Sequence, residues 1–505
     1  MSDPEGQDPA PPAGSLQTGG LGRRAARGAA LTVSAQAIRI LVQMGGVVLF
    51  ARLLSPHDFG LVAMVVAVVG VGELLRDFGL SSAAVQAPSL STQQRTNLLW
   101  LNTALGLVFG VAVLAGAPLL ASVYGEPALT DIARALSPVF LINGLATQYR
   151  ADLTRHMLYR KLALVDVTGP VLGLAAGLAL AAGGAGWWAL VVQQLTTAFA
   201  LLVGVVVMGR WVPGLPRRGE PMRDLLRFGS TLLTTQVIQY AANNIDNVTI
   251  GIRFGAVDLG LYNRAYSLLM QPLSQLRVPT TNVALPTLTR LRDDPARFRA
   301  FVERGQLAMA YTLVAALFLV IAAADPLVEV LLGPQWTQTT PLLRLLAAAG
   351  VFQTLAYVGY WVYLATGLTS VLLRYTLVSS ALRIVGVLVG SIFGLVGVAT
   401  GYVLATAISW PLSLWWLSHR TQLSLRALMS SATRVLLSFG VSAAAGWAVS
   451  TVLTAPWPQL LAAVGAAALT QLVVAGAVPP VRKDWSMLAT TATYALTSKR
   501  PRRKP

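Results

Sequence analysis

Six amide or acid side chains crowd into residues 236–247: Gln236, Gln239, Asn243, Asn244, Asp246 and Asn247. The surrounding stretch is otherwise apolar, and at helical spacing most of the six share one face. An earlier helix carries Thr32, Gln36, Arg39 and Gln43 at i, i+4, i+7 and i+11, again on one face. A third stripe follows in Arg264, Ser267, Gln271 and Ser274. None of these sets pairs a nucleophile with a base. Their chemistry is solvation: amides and guanidinium groups replacing the water around a polar or anionic solute. The bland alternative is adhesion between helices, at about 0.6–2 kcal/mol per hydrogen bond, and six such groups in one run exceed what adhesion needs. Arg39 lies roughly 15 Å along its helix at 1.5 Å per residue. A charge at that depth faces either a water-filled cavity or a carboxylate partner, for which Glu73 and Asp166 are the candidates.

Asp246 is the first candidate for coupling transport to an ion, and Asp166 the second, because a buried acid can shift far enough to exchange protons. No nucleotide-binding Gly-x-x-x-x-Gly-Lys-Ser/Thr loop occurs, so any pumping draws on an ion gradient or on the substrate gradient. Ser55-Pro56-His57-Asp58 has the order of a helix start, with Ser55 as cap and Asp58 at the third position. Arg52 then either pairs with Asp58 or, like Arg253, binds ligand. Gly169, Gly173 and Gly177 form a packing stripe.

The elements holding these residues are membrane helices. The chain has 505 residues, 55% hydrophobic and 11% charged, against about 25% charged in soluble domains. Apolar runs near twenty residues recur throughout, each long enough to cross about 30 Å of hydrocarbon. They predict an all-α polytopic protein with spans at 29–51, 58–80, 98–123, 128–149, 162–182, 186–209, 229–252, 258–285, 305–324, 341–365, 370–391, 395–417, 431–453 and 458–478. There are no cysteines and three scattered histidines, which disfavours a disulfide framework or a metal site; no cofactor is expected. Residues 1–28 read as a disordered tail.

The net charge of +18 usually suggests nucleic acid, but its distribution says otherwise. Of 38 Lys and Arg, 27 fall in alternate loops and tails on one side, while the other side has Arg52 and Arg253. That asymmetry predicts a cytoplasmic location for both termini and no nucleic-acid partner. The run Arg52-Leu-Leu-Ser-Pro-His-Asp58-Phe-Gly-Leu61 is similar to Arg253-Phe-Gly-Ala-Val-Asp258-Leu-Gly-Leu261. The repeat predicts two parallel six-helix lobes, 29–209 and 229–417, related by an axis along the membrane normal. Loop 210–228 joins them, helices at 431–478 are an addition, and 479–505 is a basic cytoplasmic tail. Segment 289–304 reads as an interfacial helix or linker.

Ala51–Leu61, the run Arg76-Asp-Phe-Gly-Leu-Ser-Ser-Ala-Ala-Val-Gln86, and Asn243-Asn-Ile-Asp-Asn-Val-Thr-Ile-Gly-Ile-Arg253 resemble Wzx-type polysaccharide flippases. Leu259–Tyr266 and Leu285–Arg290 carry the resemblance further, over roughly residues 25–420. These proteins belong to the multidrug/oligosaccharidyl-lipid/polysaccharide exporter superfamily, here its colanic and teichuronic acid branch. The resemblance implies a non-enzymatic, MATE-like bundle in the bacterial plasma membrane. It would move undecaprenyl-diphosphate-linked oligosaccharides outward by alternating access, for cell-surface polysaccharide synthesis. Polysaccharide polymerase and glycosyltransferases are implied partners, besides the lipid bilayer. Arg39, Arg52, Asn243, Asp246, Asn247, Arg253 and Arg264 occupy the family's cavity positions, and the polar faces add Gln36, Gln43, Gln239 and Gln271 as substrate contacts.

Overall fold

A computed structural model describes residue 36 and residues 38–87, 89–209 and 211–497. Thr32, the amino tail and the last eight residues lie outside the described residues. Every regular element described is helical. The first half comprises α1 (38–53), α2 (Pro56–Asp77), α3 (Leu80–Gln86), α4 (Thr92–Tyr124), α5 (Ala128–Leu136), α6 (Pro138–Arg155), α7 (Tyr159–Ala182) and α8 (Trp188–Gly209). The second begins with the long α9 (Arg223–Arg290), then α10 (Pro295–Met309), α11 (Ala315–Ala322) and α12 (Ala324–Leu331). It continues through α13 (Thr340–Ala365), α14 (Thr369–Gly390) and α15 (Gly394–Ser418). Finally come α16 (Leu425–Ser450), α17 (Pro456–Ala477) and α18 (Pro479–Thr497).

Ten helices among the described residues are long and apolar enough to cross a membrane. Residues 369–418 count as one of them, although a short 3₁₀ turn at Ser391–Phe393 separates α14 from α15. α9 is not among them: polar residues run through both its parts, from Gln236 to Asn247 and again in Arg264, Gln271, Gln275 and Arg277. The expected helices at 229–252 and 258–285 are both inside α9, joined without a loop. Gly255 alone breaks the helical path, at φ 82° and ψ −171°, a left-handed conformation that a side chain would strain.

Other boundaries differ for local reasons. The expected helix at 128–149 is one span over Ala128–Arg155, its hydrogen bonding interrupted at Ser137 because Pro138 has no N–H to donate. Residues 295–304, expected as an interfacial helix or a linker, start a helix capped by Asp294 that runs on through a π-turn at Ala310–Val314. Residues 479–497, expected in a basic tail, form α18. Its Asp484 accepts two bonds from Arg434, at 2.8 and 2.9 Å, and one from the Tyr311 hydroxyl at 3.1 Å.

Two segments position the candidate site. Ser55 and Asp58 form the reciprocal capping box the sequence predicts, fixing where α2 starts. α2 then packs along α9 across the seam between the halves. Their approach is backbone to backbone: a Cβ at Gly60 would stand 1.7 Å from the Ala256 carbonyl oxygen, and one at Gly260 1.8 Å from that of Pro56. Only glycine permits such a crossing.

Candidate functional site between the halves

α1 and the later part of α9 meet through a ladder of glutamines. Gln36 donates to Gln275 at 2.6 Å, Gln275 donates back to Gln43 at 2.8 Å, and Gln43 donates to Gln271. The polar face of α1 thus meets the stripe carrying Gln271 rather than the amide-rich run at 236–247, and the two faces close on one another directly. At about 0.6 kcal/mol per intramembrane hydrogen bond, three such bonds hold the seam weakly enough to be exchanged for a solute.

Two arginines border this seam without a carboxylate. Arg39 is half-buried and makes no hydrogen bond or ion pair among the described residues. Its suggested partners are engaged elsewhere: Glu73 accepts from Arg76 at 3.0 Å and Asp166 pairs with Arg150 at 2.7 Å. Arg264 lies with its guanidinium carbon 3.8 Å above the ring of Phe59 from the first half. Its Nη2 donates to Asn263 Oδ1 at 3.3 Å, while its enclosed Nε has no acceptor among the described residues. A ring face satisfies a cation by about 0.5–2 kcal/mol, far less than water or an anion would.

The remaining expected contacts are distributed differently. Asn247 donates to Asn244 at 3.3 Å and leaves its enclosed carbonyl oxygen without a partner. Gln239 is exposed and makes no hydrogen bond among the described residues. Arg52 and Arg253 are exposed and sit away from the glutamine ladder, at the elbows. Arg52 donates to the terminal carbonyls of α12, and Arg253 to the Ser391 hydroxyl at 2.9 Å. Asp166 is also remote, in its half-exposed pair with Arg150.

Asp246 is buried, and each of its oxygens accepts a hydrogen bond. Its Oδ2 accepts from the Tyr262 hydroxyl at 2.7 Å, and its Oδ1 from the Asn247 backbone N–H at 2.9 Å. Beside it, Arg383 of α14 donates to Asn243 and lies 5.3 Å from the Tyr402 ring centre. The network extends inward. Gln353 donates to the Tyr402 hydroxyl at 2.8 Å and accepts from Arg277 at 3.2 Å. Arg277 also donates to Thr354 at 2.8 Å and to the Gly350 carbonyl at 3.0 Å.

Sequence reasoning missed Arg277, Arg383, Gln275, Tyr262 and Tyr402. Two signals were available: an arginine inside an apolar span is itself a flag, and Gln275 continues the Gln271 face at i+4.

The profile of a family described as "Polysaccharide biosynthesis protein" matches residues 49–341. The chain is 26% identical over 380 residues to the lipopolysaccharide biosynthesis protein WzxC of Escherichia coli, covering 74% of this chain and 76% of that one. It is 26% identical over 399 residues to the teichuronic acid biosynthesis protein TuaB of Bacillus subtilis, covering 73% and 79%. Among solved structures, the lipid II flippase MurJ in an inward closed conformation superposes with a TM-score of 0.68 at 13% identity. That match covers 88% of this chain and 98% of MurJ. An inward-facing MATE family multidrug transporter of the MOP superfamily gives 0.59 at 16% identity, covering 80% and 99%. The fold is the MOP fold.

Proposed function

Because the chain belongs to the polysaccharide biosynthesis protein family, we propose that it is a flippase for undecaprenyl-diphosphate-linked oligosaccharide units, working by alternating access in the plasma membrane. The observation that carries the reading is Arg264: a guanidinium at the seam between the halves, resting on Phe59, with no carboxylate partner among the described residues. A diphosphate headgroup supplies the missing anion. Charge-assisted bonds to phosphate are roughly twice as strong as neutral ones, so the headgroup displaces a ring face easily. Arg39 is the second unneutralised cation, on the opposing helix. The glutamine ladder opens to Gln36, Gln43 and Gln271, whose amides then face sugar hydroxyls, together with Gln239, Asn243 and Asn247. The lipid tail stays in the bilayer.

The lobes in this proposal are 29–209 and 229–417, joined by 210–228, with the basic loops and both termini cytoplasmic. Reporter fusions after residues 125 and 455 are expected outside, and those after 155 and 295 inside. Asp246 is the proposed coupling residue, since protonating it would unbalance Arg383 and the Tyr262 bond together; Asp166, satisfied by Arg150, is the lesser candidate. Polymerase and glycosyltransferases act before and after the flipping step.

Deleting the gene tests this reading. Lipid-linked oligosaccharide is expected to accumulate on the cytoplasmic face, and the unmodified gene restores export while Arg264→Ala does not. A deletion strain with normal surface polysaccharide and no accumulated intermediate contradicts it.

A further inference from the structure

At the elbow after α1, the second half reaches over the first. α1 ends beside Leu54, and α12 ends at Leu331. Each helix terminus leaves its last carbonyls without intrahelical donors. Gln335 Nε2 donates to the carbonyls of Ala51 at 2.7 Å and Leu54 at 3.2 Å, and the Trp336 indole donates to Ala51 at 2.8 Å. In return Arg52 donates to the carbonyls of Glu329, Val330 and Leu331. Each half thus caps a helix end belonging to the other. A cation at a helix C-terminus also meets the negative end of its dipole.

We propose that residues 324–339 form a latch that holds the two halves closed on this face, with Arg52, Gln335 and Trp336 as its gating residues. The other contacts described between α2 and α9 include backbone approaches at glycine, such as Gly60 against Ala256, and a hydrogen bond from the Tyr240 hydroxyl to the Ala67 carbonyl at 3.0 Å. The glycine approaches favour closeness but have little direction. The reciprocal caps are directional, and water replaces every one of them when the face opens, so the latch has two satisfied states. It is also tied to the cation of the proposed site. Trp336, wholly buried, packs edge-on against Phe59 at 5.5 Å, and that same ring carries Arg264. A ligand that draws Arg264 off Phe59 alters the surface on which the latch rests. This last consequence depends on the transport reading; the latch itself does not.

The chain has no cysteine, so paired spin labels can be placed without further substitution. Leu53→Cys and Thr337→Cys, both exposed, bracket the latch. The labelled protein is expected to give mainly one short distance in detergent without substrate. Adding Arg52→Gln and Gln335→Ala, two exposed positions that spare the core, is expected to raise the long-distance population at least threefold. Trp336→Phe, which keeps the ring but removes the donor, is expected to do the same to a lesser extent. Identical distance distributions in parent and variants would overturn the latch. Vesicles of the same preparations report transport separately: distances that shift in a chain moving no lipid-linked oligosaccharide support the latch and refute only the proposed function.

Discussion

Arg52 and Arg253 occupy matching places in two elbows of similar sequence, yet they hold opposite things. Arg52 reaches out of its own half to the end of α12, whereas Arg253 bonds Ser391 within its half. The cause lies in how each elbow is built. Around Ser55 the chain leaves one helix and restarts another with a full capping box, which exposes the last carbonyls of α1. Around Gly255 a single residue turns the chain, and helical bonding resumes on both sides. Only the first elbow therefore offers carbonyls for the other half to catch. Two elbows of similar sequence are thus fastened differently, one across the seam and one inside its own half.

The carboxylates follow the same division, and here the largest effect is expected. Asp246 is buried in the internal network of the second half, while Asp166 shares a half-exposed pair with Arg150. Breaking a buried charged network by removing one partner costs about 3–5 kcal/mol, and an exposed pair contributes about 0–1 kcal/mol. Thermal unfolding in detergent is expected to drop sharply for Asp246→Ala and hardly at all for Asp166→Ala. Equal losses would dissolve the contrast between the halves. Asp246→Asn, which keeps a group able to accept from Tyr262, is expected to fold and flip downhill while failing to accumulate substrate against its gradient. Wild-type transport indifferent to imposed pH and sodium gradients would remove the coupling role.

Next in size is the elbow pair. Arg253→Gln removes one partly buried hydrogen bond, worth about 1 kcal/mol, and should leave the spin-label distances at the first elbow unchanged. Arg52→Gln should broaden them. A response of similar size to both would mean the elbows do the same work.

Much of this was legible in the residues. Apolar runs and the alternating basic loops carried the helical class, because crossing hydrocarbon leaves the chain few choices. The polar face of 36–43 and the stripe through Gln271 marked the seam, whereas the amides at 236–247 turn largely into the second half. What stayed hidden was partner choice. Arg52 and Arg264 look alike in sequence, but one caps a helix 277–279 positions away and the other lies on Phe59. Arg277 and Arg383 fall outside the polar stripes read from the sequence, and their partners Gln353, Thr354 and Tyr402 lie on α13 and α15, which only packing brings beside them. α12 and the turn after it are too short for a hydropathy window to register.

The smallest effect is expected in the glutamine ladder. Gln43→Ala should cost about 0.6–1.2 kcal/mol, for one or two intramembrane bonds, and leave the fold intact with slightly faster opening. A loss far above that would make the ladder a fixed brace rather than a seam that parts.

The central claim is that Arg264 receives the anionic headgroup of a lipid-linked oligosaccharide. The direct measurement uses vesicles holding labelled undecaprenyl-diphosphate oligosaccharide, with purified protein or its Arg264→Gln variant reconstituted, and follows exposure of the label at the far leaflet. The unmodified protein is expected to flip the label, and the variant to lose at least tenfold in rate while remaining folded, with Arg264→Lys recovering part of it. Equal rates for the protein and the Gln variant, or no flipping by the unmodified protein, would contradict the account.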